Sequence, residues 1–283
     1  MLTAVIATLG AALYGVADFL GGLASRKSTA LGVTVGGQVV GMLALLAVSL
    51  VIPPASWTDP VLLWGIAAGL CGGTGVLCLY AGLAAGRMSV VAPITASLSA
   101  AIPAAVGLIF RGEQLSAVGA TGIALALVAV IIVSLTDEPE EGAGKNTRAA
   151  LLFAILSGIG FSGAILSFSQ TPASAAFVPL VISRFTAIVV LGSIALVRGM
   201  RPSSLSNVRG LVLATGLTDA AANAVQVTAL RIGPLAVASV LGALYPVLTV
   251  ILARYILHER LRGWQRVGIV LALVAVVLTA WPA

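Results

Sequence analysis

Seven side chains in this sequence could do chemistry, and all of them lie inside apolar runs: Tyr14, Asp18, Tyr80, Arg184, Asp219, Asn223 and Gln226. A polar group in hydrocarbon is costly, so each needs a partner or a role. Asp18, in Tyr14-Gly15-Val16-Ala17-Asp18, could exchange a proton or hold the amine of a substrate in a wet cavity. Otherwise it is an acid near the membrane interface among small residues. Asp219, Asn223 and Gln226 recur at intervals of four and three, so they share one helix face. Such a stripe should face water, a ligand or a polar neighbour. Arg184 could grip a carboxylate or phosphate with both arms of its guanidinium, or it could satisfy a broken helix or pair with Asp219. Tyr14 and Tyr80 could line a cavity or pack. The seven form the candidate substrate- or proton-binding set.

Other polar groups suggest less. Gln38 and Gln170 are expected to make helix-packing hydrogen bonds. Glu113 and Glu259, at helix ends near Arg111 and Arg260, look like local caps and interface pairs. His258 is the only histidine, and Cys71 and Cys78 are seven residues apart in one apolar run. About 10 Å of helix separates those thiols, too far for a disulfide, and no metal site is expected. Gly158-Ile159-Gly160-Phe161-Ser162-Gly163 spells a dinucleotide fingerprint, but no strand precedes it. Close helix packing explains it better. No cofactor is expected, and without a phosphate-binding loop the chain should not hydrolyse ATP.

The elements that must position these groups follow from composition. Of 283 residues, 60% are hydrophobic and 8% charged, with a mean hydropathy of +1.15. A soluble domain carries about 25% charged residues, so a soluble enzyme is excluded. Apolar runs occupy 2–24, 30–52, 60–84, 88–110, 115–135, 149–169, 175–197, 208–231, 233–255 and 264–282. Each is long enough to cross about 30 Å of hydrocarbon as a helix. The expected fold is therefore an all-α membrane protein of ten transmembrane helices. The net charge of +6 comes from basic residues at helix ends, without the aromatic interleaving of a nucleic-acid surface.

Gly122–Val130 reads GIALALVAV and Gly268–Val276 reads GIVLALVAV, eight matches in nine at an offset of 146. The same offset aligns Glu113 with Glu259, and an offset of 147 aligns Gly86 with Gly233. Three agreements in matching order point to duplication. The units are residues 1–135 and 149–283, five spans each, joined by a polar linker at 136–148. An odd number of spans forces the second unit to lie inverted across the membrane. Inverted repeats around a midplane site are the architecture of secondary transporters.

The segment Pro246 to Glu259, PVLTVILARYILHE, then Arg260-Leu261 and an apolar final run, resembles the EamA repeat of the drug/metabolite transporter superfamily. Arg184 matches an arginine common in the second helix of that repeat, and Gln38 departs from it in the first unit. Small multidrug transporters of the same superfamily are similar in carrying an acid in the first helix. The resemblance implies a ten-helix carrier of small metabolites such as amino acids or amines, and no enzyme.

The expected activity is alternating-access transport, in the export direction, with proton coupling or as downhill efflux with no coupling ion. The other readings are a lipid- or drug-handling membrane protein and a passive channel. The partners are a small-molecule substrate and the lipid bilayer, not nucleic acid, and ten helices suffice for a monomer in the plasma or inner membrane. The end holding both termini carries two basic residues, Arg111 and Arg231, against twelve at the other end. The positive-inside rule then places the termini outside, whereas the resemblance places them in the cytoplasm.

Overall fold

Long apolar runs in lipid must satisfy their own backbone groups, which helices do within one segment. The computed structural model describes residues 1–54, 59–85, 88–134, 147–199, 202–256 and 263–279. Among them eleven α-helices form: α1 (Leu2–Lys27), α2 (Ala30–Val51), α3 (Asp59–Ala85), α4 (Met88–Phe110), α5 (Ala117–Ser134), α6 (Thr147–Phe168), α7 (Val178–Val197), α8 (Arg209–Ile232), α9 (Leu235–Gly242), α10 (Tyr245–Ile256) and α11 (Gly263–Thr279). Ten spans are expected and ten are found, because α9 and α10 are two pieces of the ninth. No strand occurs among the described residues. His258, Glu259 and most of the 136–148 linker lie outside the described residues.

Proline chemistry divides the ninth span. Pro246 has no N–H to offer the carbonyl four residues back, and its ring crowds that carbonyl. Four residues back is Gly242, where α9 ends. The Leu244 N–H then bonds Leu241 O at 3.2 Å in a tightened last turn.

The helices pair across the two halves of the chain. α1 lies on α8 and α3 on α6; α2 meets α7, α4 meets α9, and α5 meets α11. Exchanging the halves maps these partnerships onto one another, and the packing of α4 on α6 is matched by that of α1 on α9 and α10. Large apolar side chains such as Leu43, Leu63, Phe185, Val197 and Leu273 point outward, as lipid-facing residues do. Among the described residues α1, α2, α3, α6 and α7 contain segments long and apolar enough to cross a membrane. α8, with 24 residues, is long enough but carries the polar stripe.

Glycines let the central helices touch. A Cβ on Gly160 would stand 2.7 Å from the carbonyl oxygen of Cys71 and 2.9 Å from the Cα of Gly75. Gly158 meets Leu98, and Gly163 meets the Cys71 sulfur. The glycine run of α6 is thus a packing face against α3 and α4. Gly160→Leu should force α3 and α6 apart and cost about 3 kcal/mol, read as a lower thermal midpoint in detergent. An unchanged midpoint would contradict the tight crossing.

The connections after α4, α6 and α8 meet at one end of the bundle. Arg111 Nη2 donates to Ser169 Oγ at 2.8 Å. Arg231 donates to Ala176 O at 2.7 Å and to Thr171 Oγ1 at 2.9 Å. The backbone N–H groups of Leu235 and Ala236 donate to the two Glu113 carboxylate oxygens, at 2.6 and 2.9 Å. Glu113 therefore caps the first turn of α9, in the other half of the chain. This corrects the expectation of a local cap paired with Arg111. Gln170 also differs from expectation: it is exposed at the end of α6, with no side-chain hydrogen bond among the described residues.

Candidate functional site

The polar groups that the sequence distributes over distant helices converge on one cavity of about 120 Å³ between the halves. Tyr14, Asp18, Arg184, Asp219, Asn223 and Gln226 all line it, joined by Gln38 and otherwise mainly by small, aliphatic and aromatic side chains. The volume approaches that of a ~150 Å³ protein cavity known to hold benzene, so there is room for a small molecule.

Arg184 is the hub. Its side chain is 6% exposed and pairs through Nη2 with the Asp219 carboxylate, which is 25% exposed. Its Nη1 donates to Gln38 Oε1 at 2.7 Å. Gln38 and Arg184 are 146 residues apart, the repeat offset, so equivalent positions of α2 and α7 touch where those helices cross. Gly41 and Gly73, with Ala187, keep the surrounding helices close enough for these contacts. The sequence leaves open whether Arg184 binds a ligand or pairs with Asp219; in the structure it is paired.

The stripe on α8 bonds to itself and to α9. Asn223 Nδ2 donates to Asp219 O at 2.8 Å and reaches Asp219 Oδ1 at 3.3 Å. Gln226 Nε2 donates to Ala238 O at 2.8 Å, tying α8 to α9 four residues before α9 ends. The Gln226 Oε1 atom is buried without a hydrogen-bond partner, as is the Tyr245 hydroxyl. Asp18, half-buried on α1, has no hydrogen-bond or ion-pair partner among the described residues.

Tyr80 does not line the cavity. It belongs to a separate buried cluster with Ala24, Val33, Val208 and Val212, and its hydroxyl lies over Gly21. Tyr14 does reach the cavity, whereas Tyr245, Phe161 and Phe168 are cavity aromatics that sequence reasoning missed. For Tyr245 a signal existed, since it immediately precedes the proline that breaks the ninth span.

Among the described residues no cluster of His, Cys, Asp and Glu could hold a metal ion, and both cysteines are free.

The chain is an apolar helical bundle with charged groups gathered in an internal cavity. Residues 148–281 match the pattern of the EamA-like transporter family. A solved crystal structure of similar length is alike in fold, with a TM-score of 0.75 at 16% identity, over 99% of this chain and 97% of the other. No curated protein matches the chain. That family is one of transporters and not of enzymes, which with the apolar helices supports a multi-pass membrane protein of the drug/metabolite transporter type.

Proposed function

We propose that the chain is a secondary transporter that exports small metabolites, amino acids or amines, across the plasma or inner membrane by alternating access. One observation carries the reading. Charged groups from α1, α7 and α8, contributed by both halves of the chain, meet in one cavity inside an apolar bundle. Residues 1–135 and 149–283 are the two inverted units. Their near equivalence lets them exchange conformations, so that the site faces each side in turn. A monomer contains everything the site needs.

Asp18 carries the coupling proton or the substrate's amine. The groups in its electrostatic neighbourhood are Asp219 and the hydroxyls of Tyr14, Tyr80 and Tyr245. Asn223 and Gln226 orient the substrate, and Arg184 holds the cavity's shape. The test is flux of a labelled panel of amines and amino acids into proteoliposomes under an imposed pH gradient. A carrier saturates and supports counterflow, whereas a channel does neither. Asp18→Asn should lower gradient-driven flux at least about tenfold, a loss of transition-state stabilisation near 1.4 kcal/mol. Full flux with unchanged gradient dependence in that variant would refute proton or amine binding at Asp18.

A further inference from the structure

We infer that the cavity selects a small organic cation, an ammonium in preference to a carboxylate or a zwitterion, with Asp18 as its anchor and Asp219 as the residue that excludes anions by masking Arg184. The inference rests on the cavity being the transport site and narrows the substrate class there.

Three charged side chains face the cavity: Asp18, Asp219 and Arg184. Both terminal nitrogens of Arg184 are committed, one to Asp219 and the other to Gln38 Oε1 at 2.7 Å. Recognition of a carboxylate across both terminal nitrogens would compete with these partners, so an anion meets a guanidinium whose charge Asp219 already neutralises. Asp18 is the acid left over, and when it is ionised the three together sum to minus one. An unpaired charge held away from bulk water is costly, and a ligand with one positive charge removes that cost.

The unsatisfied neutral groups agree with the charge. Because Gln226 Nε2 is spent on the Ala238 carbonyl, the free end of its amide is an oxygen, buried and unpartnered. It accepts and cannot donate, so it suits an N–H of the ligand and repels a carboxylate. The Tyr245 hydroxyl is likewise unpartnered. The rings of Tyr14, Phe161, Phe168 and Tyr245 line the same space. Such walls hold an apolar body by its area, and ring faces attract an ammonium. A zwitterionic amino acid would satisfy Asp18 with its ammonium, but its carboxylate would find no free cation.

The test uses the full chain in detergent and three probes of nearly one shape: benzylamine, benzyl alcohol and benzoate, of charge plus one, zero and minus one at neutral pH. Binding is measured by calorimetry and by the shift of the thermal midpoint, which follows mass action. Benzylamine should bind at least about tenfold more tightly than benzoate. Asp18→Asn should erase that preference. Asp219→Asn frees the guanidinium and should raise benzoate affinity about tenfold, a gain that Arg184→Gln in the same background removes. Should Asp219→Asn fail to fold, Gln38→Leu frees the other nitrogen without stranding a charge and should shift preference the same way.

Benzoate binding as tightly as benzylamine, no response to benzylamine, or a preference that survives Asp18→Asn would each overturn the inference. The outcomes separate from those of the transport reading. Cation-selective binding without flux keeps the inference and refutes transport, whereas anion flux with the opposite binding order keeps transport and refutes the inference.

Discussion

Arg184→Met should destabilise the folded protein by about 3–5 kcal/mol, the usual cost of removing one partner of a buried ion pair. The loss arises less from the missing attraction than from what stays behind. Asp219, 25% exposed, is left without its cation, and Gln38 Oε1 loses the Nη1 donor that satisfies it. Adding Asp219→Leu should recover most of that stability, because replacing a whole buried pair by apolar residues of similar size is often neutral. A residual deficit of about 1–3 kcal/mol is expected from the orphaned Gln38 oxygen, and Gln38→Leu should remove it. The measurement is denaturant or thermal unfolding in one fixed detergent, read as a cycle of single and combined variants. A cost below about 1 kcal/mol for Arg184→Met would mean that the pair is solvated and behaves as surface pairs do. The cavity's shape would then not depend on it.

The spans were legible because apolar length is a local property. The expected 88–110 matches α4 (Met88–Phe110), and 30–52 is within one residue of α2 (Ala30–Val51). The stripe Asp219, Asn223 and Gln226 was legible for the same reason, since three residues on one helix share a face whatever surrounds them. The repeat offset also carried three-dimensional information, because it pairs Gln38 with Arg184 before any contact is seen. What stayed hidden depends on how helices distant in sequence meet. Tyr80 and Tyr14 look equivalent in apolar runs, yet only Tyr14 faces the cavity. Pro246 accounts for the division of the ninth span, which the apolar run 233–255 did not suggest, but prolines at 93 and 103 lie within a continuous α4. Proline alone therefore does not decide where a span parts. Glu113 offered no clue to its target, because the N–H groups it binds lie more than 120 residues away.

That target gives Glu113 the second large effect. With Pro234 supplying no N–H, the first donors of α9 are Leu235 and Ala236, and one carboxylate accepts both. Charge-assisted bonds to backbone N–H groups at a helix start combine good hydrogen-bond energy with a favourable macrodipole. Glu113→Ala should cost about 2–4 kcal/mol, and Glu113→Gln, which keeps one acceptor but no charge, roughly half of that. The cap also joins the α4–α5 connection to the opposite half, beside the bonds of Arg111 and Arg231, so its loss should loosen this end of the bundle. Ser239 lies beneath it on α9, fully buried and lining the cavity. In a chain carrying Ser239→Cys, with Cys71 and Cys78 replaced by alanine, a membrane-impermeant maleimide should react several-fold faster once Glu113 is alanine. Equal labelling rates and an equal thermal midpoint would show that α9 is held by its apolar packing alone. Labelling that rises while the midpoint is unchanged would instead make the cap a fastening of this end without a share in global stability. The order Glu, Gln, Ala in both readouts is what a carboxylate acting through its two acceptor oxygens requires.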